Sequence, residues 1–583
     1  MAKLEEVQGA LETLRTFLTP AIPFVNSHLN SFFMDSLWDY HLSEKLREDL
    51  DALTIPEIQS VVKSLASGKY CESSCTRNSI SFDSSTFQEI VSQIGRLLLA
   101  SKHLSVPVKK FKLSSEKDAA IGSERQQDDP VEGEPEDFKW SSWKFDSFMS
   151  SKKMHEVEVM SDFIAKVADL QSIHSVKDIA GIIEVTNQES TMEVLIDVGS
   201  GKGYLSSFLV LLYNFNVLAL DSSSVNTYGC TKRSTTLQKN WSSFLRRARE
   251  RQIKQDGEIS KRGKHWKSKR GEIKAGDDGG ISRAEIKVER GTSESCGMIA
   301  SVETGSASDM VNDGKWSCEK LKTVTLFVNE DLDLLQLLHD NFPYDEVTRP
   351  SFGIIGLHTC GQLGVDSIKL FCNSKHAKFL VNVPCCYHLL NEQFHKNEDF
   401  SGRKYIPSFE EDTPGFPLSQ CLQAESFYLG RNARMMSAQS LHRMSVEEDE
   451  LSVPRPLLYR ALLQVLIRQK LGHTDLENSV GRLGSKFEDF HQYVRKAWTK
   501  LKLENVPVST EEIEALYQTH GAQRERFHKY FLLRALFAPL IEGCILLDRL
   551  AYLLEQGDVH EAFIVELFDP FLSPRCHALV AVR

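Results

Sequence analysis

Asp197-Val198-Gly199-Ser200-Gly201-Lys202-Gly203 follows the apolar run Val194-Leu195-Ile196 and precedes a second apolar segment over 204–212. A short apolar run, a glycine loop and a longer apolar stretch predict a buried parallel strand turning into a helix. Glycines at three alternate positions open backbone angles closed to other residues, and remove the side chains that would hold a ligand away from the loop and the helix end. An adenosine-sized group suits such a loop. A phosphate loop would need G-x-x-x-x-G-K followed by Ser or Thr, whereas Gly203 and Tyr204 follow Lys202. A dinucleotide fingerprint would need G-x-G-x-x-G, and here the glycines run G-x-G-x-G.

On either side of this loop, strands are predicted over 194–198, 216–220, 323–328, 352–357 and 377–383, mostly separated by helix-compatible sequence. That alternation is the mark of a parallel sheet with crossover helices. Two more apolar runs, 562–568 and 576–582, are joined by a turn holding Pro570 and Pro574, which predicts an antiparallel hairpin. The expected fold is α/β: a Rossmann-like sheet of seven strands with the last antiparallel, similar to the class I methyltransferase fold. Around it, 1–113 reads as a helical N-terminal region and 114–137 as a disordered linker poor in large apolar residues. Residues 138–399 are the core, with 140–183 read as helical and a largely disordered insertion over 246–320. A helical insertion covers 400–556, and 557–583 supplies the hairpin that completes the sheet.

The 583 residues carry a net charge of −11, so any contact with nucleic acid must come from a local basic patch. The stretch 261–270, with six Lys or Arg in ten, is one candidate for RNA binding or a nuclear address, and equally a solvated insertion. The 12 cysteines include no C-x-x-C pair, which suits a reducing compartment. The N-terminal residues lack the basic-then-apolar order of a secretory signal, and the apolar stretch 531–554 carries Arg534, Glu542, Asp548 and Arg549. The expectation is an intracellular protein, cytoplasmic or nuclear, with no membrane partner.

The second strand ends in Asp221, eighteen residues past Gly203, where a carboxylate can accept from both hydroxyls of a ribose. Asp197 is expected to brace the loop and to reach the amino group of a bound methionine moiety. Ser200 and Lys202 complete the loop's candidate ligand-binding set with Gly199, Gly201, Gly203 and Asp221. Glu330 or Asp331, beside the third strand, is a weaker candidate for the adenine side.

The fourth strand leads into Leu357-His358-Thr359-Cys360-Gly361 and the fifth into Pro384-Cys385-Cys386-Tyr387-His388. With the glycine loop and the lead-in Met149-Ser150-Ser151-Lys152-Lys153-Met154-His155-Glu156-Val157, these motifs resemble the methyltransferase-like protein 25 family from about residue 149 to the C-terminus. The resemblance implies an S-adenosyl-L-methionine-dependent methyltransferase. A wider similarity to eukaryotic tRNA 2′-O-methyltransferases, which have related segments at these strand ends, tilts the acceptor towards RNA. This chain has Cys386-Tyr387-His388 in place of Cys-His-His and no N-terminal zinc-finger pattern, so tRNA specificity does not carry over. A protein methyltransferase and a non-catalytic cofactor-binding scaffold are the alternatives.

Both motifs sit at carboxyl strand ends, where open parallel sheets bind ligands. His358 or His388 can serve as the base for a hydroxyl or amine acceptor, or hold a strand end. Tyr387 can stack on a base or pack in the interior. Cys360 with Cys385 or Cys386 resembles the paired cysteines of RNA cytosine-5 methyltransferases, where a thiolate attacks the ring. His358, Cys360, Cys386 and His388 could gather a zinc ion, but H-x-C and C-x-H spacing is atypical of structural sites, and no metal is expected. Lys152, Lys153 and His155 line the cleft or an exposed helix face. Residues 415–419 and 431–439 form a lid or plain connectors.

Overall fold

The computed structural model describes residues 3–68, 85–112, 149–171, 176–179, 182–185, 194–239, 318–343, 350–394, 414–442, 454–472, 480–481, 483 and 487–583. The chain divides into two units. Met1–Pro130, Met149–Arg233 and Lys320–Arg583 make up one, and Val131–Phe148 with Ser234–Glu319 make up the other. The linker 114–137, the basic stretch 261–270 and nearly all of 246–320 lie outside the described residues. Everything below concerns the first unit.

Among the described residues its sheet has eight strands: β1 (Ser105–Pro107), β4 (Val194–Val198), β5 (Asn216–Asp221), β6 (Leu321–Thr325), β7 (Phe352–Cys360), β8 (Ala377–Cys385), β9 (Glu561–Glu566) and β10 (His577–Val582). Their order is β1-β9-β10-β8-β7-β4-β5-β6, with the remaining two strands, β2 (Val176–Ile179) and β3 (Ile182–Val185), paired separately. Neighbours β6, β5, β4, β7 and β8 run parallel, and β10 runs antiparallel to both β8 and β9. This is the class I methyltransferase arrangement, with the last strand reversed.

Sheet side chains alternate strictly between two apolar layers, as the two-residue period of a strand requires. Val194, Ile196, Val198, Leu218, Leu220, Ile354 and Leu380 join a large core shared with the N-terminal and C-terminal helices. Leu195, Val217, Ile355, Phe379, Val381 and Val383 face the other way, into a core with Met160, Phe163 and Leu209. A sheet covered on both faces has no polar side to show, which is why its strands read as unbroken apolar runs.

Three features differ from the sequence-based expectation. The sheet has eight strands rather than seven, because Ser105–Pro107 adds in parallel to β9, Ser105 Oγ donating to Glu566 Oε1 at 2.9 Å. Three residues are too few to show a period. The third strand lies at Leu321–Thr325 rather than 323–328. Within 140–183, which reads as helical, the helix spans Ser151–Leu170 and is followed by the antiparallel pair β2 and β3.

The N-terminal helices and those of 414–556 share one apolar core. The helix Leu4–Asn26 packs on Ala538–Leu554 and its neighbour Gly521–Ala535, with Phe17 stacked on Phe537 at 5.8 Å and Phe24 edge-on to Tyr530 at 4.9 Å. Asn26 ties the pair to a third segment: its Oδ1 accepts from Ala433 N at 3.0 Å, and its carbonyl accepts from Asn432 Nδ2 at 2.8 Å. The stretch Gly521–Leu554 is long and apolar enough to cross a membrane, yet 83% of its most apolar window is buried inside the protein. Within it Asp548 is buried and satisfied, accepting from Leu418 N at 2.8 Å and Ser419 N at 2.9 Å.

Candidate active site

At the end of β4 all three loop glycines have positive φ: +73° at Gly199, +56° at Gly201 and +67° at Gly203. The amides of Gly199 and Ser200 both donate to Leu220 O at 2.9 Å, which folds the loop over the tip of β5. A Cβ at Gly203 would stand 2.0 Å from Cys230 Sγ, so this glycine is required by packing. At Gly201 the nearest atom would be 4.0 Å away, leaving an open approach to the backbone. The Ser200 hydroxyl is buried beside this opening with no hydrogen-bond partner.

Asp221 sits at the end of β5, where Oδ2 accepts from Gly201 N at 2.9 Å and Oδ1 from Ser223 N at 2.8 Å and Asn226 Nδ2 at 3.0 Å. One carboxylate thereby locks the loop to the second strand. Asp197 is almost fully enclosed and accepts from Ser206 Oγ on the following helix. Burial raises its pKa to about 6, the Ser206 hydrogen bond opposing and the charge of Asp221 adding to the rise. Its bracing contact is therefore with the helix. Glu330 is held by Lys369 Nζ at 2.6 Å.

Lys153 and Lys202 are exposed beside the head of the helix Tyr204–Tyr213, whereas the exposed Lys152 pairs with Glu156. Lys153 Nζ lies 4.6 Å from the centroid of the Tyr204 ring and the Arg233 guanidinium 4.1 Å from it. Arg233 Nη1 also donates to Lys202 O at 2.8 Å. An acidic chain thus presents a compact cationic cluster with an aromatic centre next to its glycine loop.

Strands β7 and β8 run three and two residues past the predicted ends and carry the chemical motifs on their tips. Their register slips between Leu357 and Thr359, so His358 is the extra residue of a bulge, with φ +64°. Bulges re-aim a side chain, and left-handed backbone at a non-glycine residue costs about 1–3 kcal/mol. Here the result is a contact 202 residues away in sequence: His358 Nε2 lies 3.1 Å from Glu156 Oε2. Glu156 is 1% exposed, and its Oε1 accepts from Ser573 Oγ at 2.6 Å and faces Lys152 Nζ at 3.4 Å. Burial acts to raise the Glu156 pKa, but the His358 hydrogen bond and charge, with Ser573 and Lys152, outweigh it and hold the carboxyl below its usual range. A carboxylate at Nε2 fixes the proton on that nitrogen and leaves Nδ1 as the basic one.

Cys360 and Cys385 are register partners, with Sγ atoms 2.9 Å apart, and Cys386 Sγ is 3.7 Å from Cys385 Sγ. The hydrogen bond between them pulls the Cys360 pKa down and pushes that of Cys385 up. Burial raises Cys386. His388 Nδ1 is buried without a partner, and burial with the charges of Arg431, Arg434 and Arg575 depresses its pKa, so it is neutral near pH 7.

Tyr387 does not offer a stacking surface. It is 1% exposed, its hydroxyl donates to Glu542 Oε1 at 3.2 Å, and the guanidiniums of Arg549 and Arg575 each lie 5.7 Å from its ring centroid. It packs, and Arg434 fixes the turn around it by donating to Tyr387 O at 2.8 Å and Leu390 O at 2.6 Å. The short helix Arg431–Met436 that supplies Arg434 is therefore a brace for this turn. His155 is likewise structural, its Nε2 accepting from Asp569 N at 3.1 Å.

Glu156 is the residue that sequence reasoning passed over. The available signal was a carboxylate on the apolar face of its helix, in line with Met160, Ile164 and Val167.

Residues 152–393 match the family model described as a methyltransferase domain. Along its whole length the chain is 28% identical to "Probable methyltransferase-like protein 25" of Mus musculus, covering 100% of this chain and 97% of the relative. It is also 28% identical to "Probable methyltransferase-like protein 25" of Homo sapiens, covering 98% of that protein. No solved structure matches. The resemblance to this group extends over the N-terminal helices as well as the core, and the glycine loop, Asp221, Glu156, His358 and the three strand-tip cysteines all fall within the residues that match the methyltransferase-domain model.

Proposed function

We propose that the chain is an S-adenosyl-L-methionine-dependent methyltransferase whose acceptor is RNA. The observation that carries the donor is the junction of glycine loop and Asp221. Gly201 has room above its backbone, Ser200 Oγ is a buried hydroxyl with no partner, and Asp221 holds both parts of the rim in one geometry. These residues fit a ligand with ribose hydroxyls and an amino-acid head. The donor supplies a methyl group activated by its sulfonium, a direct displacement for which an enzyme provides mainly alignment and a dry pocket.

For the acceptor, the cationic cluster of Lys153, Lys202 and Arg233 about Tyr204 supports a polyanion, with phosphates met by charge. His358, oriented by Glu156, accepts at Nδ1 the proton that a hydroxyl or amine releases as it is methylated. The buried carboxylate then faces an imidazolium, which it stabilises.

Transfer of labelled methyl groups to fractionated cellular RNA and protein tests this reading, with Asp221→Ala and His358→Ala beside the wild type. Nuclease-sensitive label that both variants lose is the expected result. Proteinase-sensitive label overturns the RNA acceptor, and a folded wild type that neither binds S-adenosyl-L-methionine by calorimetry nor labels any fraction overturns the enzyme.

A further inference from the structure

Adjacent residues of an extended strand point to opposite faces of the sheet, so a vicinal cysteine pair on a strand cannot direct both sulfurs to one place. At the end of β8 the chain leaves the extended form: Cys386 has φ +49° and ψ +46°, a left-handed conformation that costs a non-glycine residue about 1–2 kcal/mol. The consequence is that its sulfur turns back beside that of Cys385. Across the parallel ladder, Cys360 meets Cys385, and the three sulfur atoms all lie within 4.8 Å of one another.

We propose that Cys360, Cys385 and Cys386 bind one zinc-like divalent metal ion as three thiolates, at the strand tips beside the methyl-transfer site. Zinc–sulfur bonds of about 2.3 Å in tetrahedral geometry set sulfurs about 3.8 Å apart. The Cys385–Cys386 separation of 3.7 Å already matches, and Cys360 must withdraw by about an ångström from its present 2.9 Å. Cys360 is exposed, which gives the ion an entry path. Binding releases the thiol protons to solvent. Three thiolates around a divalent ion carry a net charge of −1, and two guanidiniums stand within electrostatic reach. Arg549, 1% exposed and with Nε and Nη1 unpartnered, acts on Cys385, and Arg575 acts on Cys386. Three protein ligands leave one tetrahedral position for water or an acceptor atom, the pattern of metal sites that take part in chemistry.

The ligand set differs from the His358, Cys360, Cys386, His388 quartet, whose spacing is atypical of zinc sites and whose His358 is committed to Glu156. A cross-strand Cys360–Cys385 disulfide is the competing outcome, and it leaves the strained backbone of Cys386 without a purpose.

The test is metal analysis of the full chain purified under reducing, anaerobic conditions, followed by chelation and titration with Zn²⁺ and with Co²⁺. One equivalent of zinc per chain and a thiolate-to-cobalt charge-transfer band are expected. Cys360→Ser, Cys385→Ser and Cys386→Ser should each weaken zinc affinity about tenfold or more, whereas Cys372→Ser and Cys544→Ala retain it. Should any cluster variant fail to fold, the cobalt spectrum of the wild type decides alone. The proposal is overturned if the reduced chain binds no zinc, if bound cobalt lacks the thiolate band, or if mass spectrometry finds Cys360 and Cys385 already joined. Binding of S-adenosyl-L-methionine is measured separately, so loss of the metal site leaves the methyltransferase reading standing.

Discussion

Replacing Gly201 by alanine separates what the glycine loop does for the fold from what it does for a ligand. An added Cβ there meets nothing nearer than Gly199 O at 4.0 Å, so the folding cost is the left-handed backbone alone, about 1–2 kcal/mol. In a chain of this size that moves the melting temperature by only a few degrees. The methyl also fills the opening through which a ligand would approach the backbone, and a tenfold or greater rise in Kd for S-adenosyl-L-methionine, about 1.4 kcal/mol, is expected. Gly203→Ala is the contrasting case. Its Cβ would stand 2.0 Å from Cys230 Sγ and 3.0 Å from Cys230 Cβ, adding about 1–3 kcal/mol of overpacking to the backbone term. Cys230→Ala removes the sulfur but not the Cβ, so the double variant should recover only part of the loss. Thermal unfolding read by fluorescence, paired with titration calorimetry, gives both quantities. A folded Gly201→Ala chain with wild-type affinity would refute the assignment of this loop to the donor, and a Gly203→Ala chain as stable as wild type would refute the packing argument.

Glu156→Gln keeps the size of the side chain but loses the charge that faces His358, so kcat should fall about 100-fold while donor affinity holds; unchanged kcat would remove His358 as the base. Asp197 has a folded pKa of about 6 against an ordinary 3.8, so its contribution to stability is fully present below pH 3.8 and is lost as pH rises through about 6, on the order of 3 kcal/mol in total. Asp197→Asn should therefore flatten the fall in thermal stability between pH 4 and 7 (roughly), as scanning calorimetry across that range would reveal. Arg434→Met takes the guanidinium from the buried Glu392, whose Oε1 lies 3.3 Å from Arg434 Nε, leaves that carboxylate to the amides of Leu429 and Gly430, and frees the carbonyls of Tyr387 and Leu390. A destabilisation of about 3–5 kcal/mol in denaturant unfolding is expected.

The glycine loop, Asp221 and the five parallel strands are legible in sequence because each is local: a strand, its turn and the next helix span some twenty residues and carry their own periodicity. The tips of β7 and β8 are harder, since His358 and Cys386 owe their directions to a bulge and a left-handed residue that composition does not announce. Glu156 is invisible for another reason. Its partner is 202 residues away, and only the folded sheet brings the two together. The same limit explains why the N-terminal helices and the 400–556 region read as two segments although they fill one core, as in the contact of Phe17 with Phe537. Tyr387 illustrates the converse, a residue beside the chemistry whose surroundings in space close it off.

The position of β10 has a consequence for how the protein is made. The strand pairs with β8 on one side and β9 on the other, yet it comprises residues 577–582, so a ribosome releases every other strand of the sheet before it. Until then β8 presents a bare row of amides and carbonyls beside the cysteine turn, and the helix Leu4–Asn26 waits more than 500 residues for Ala538–Leu554. A nascent chain in that condition is a template for mispairing. Late closure is therefore built into the topology, the sheet becoming continuous only when the final strand fills the gap between β8 and β9.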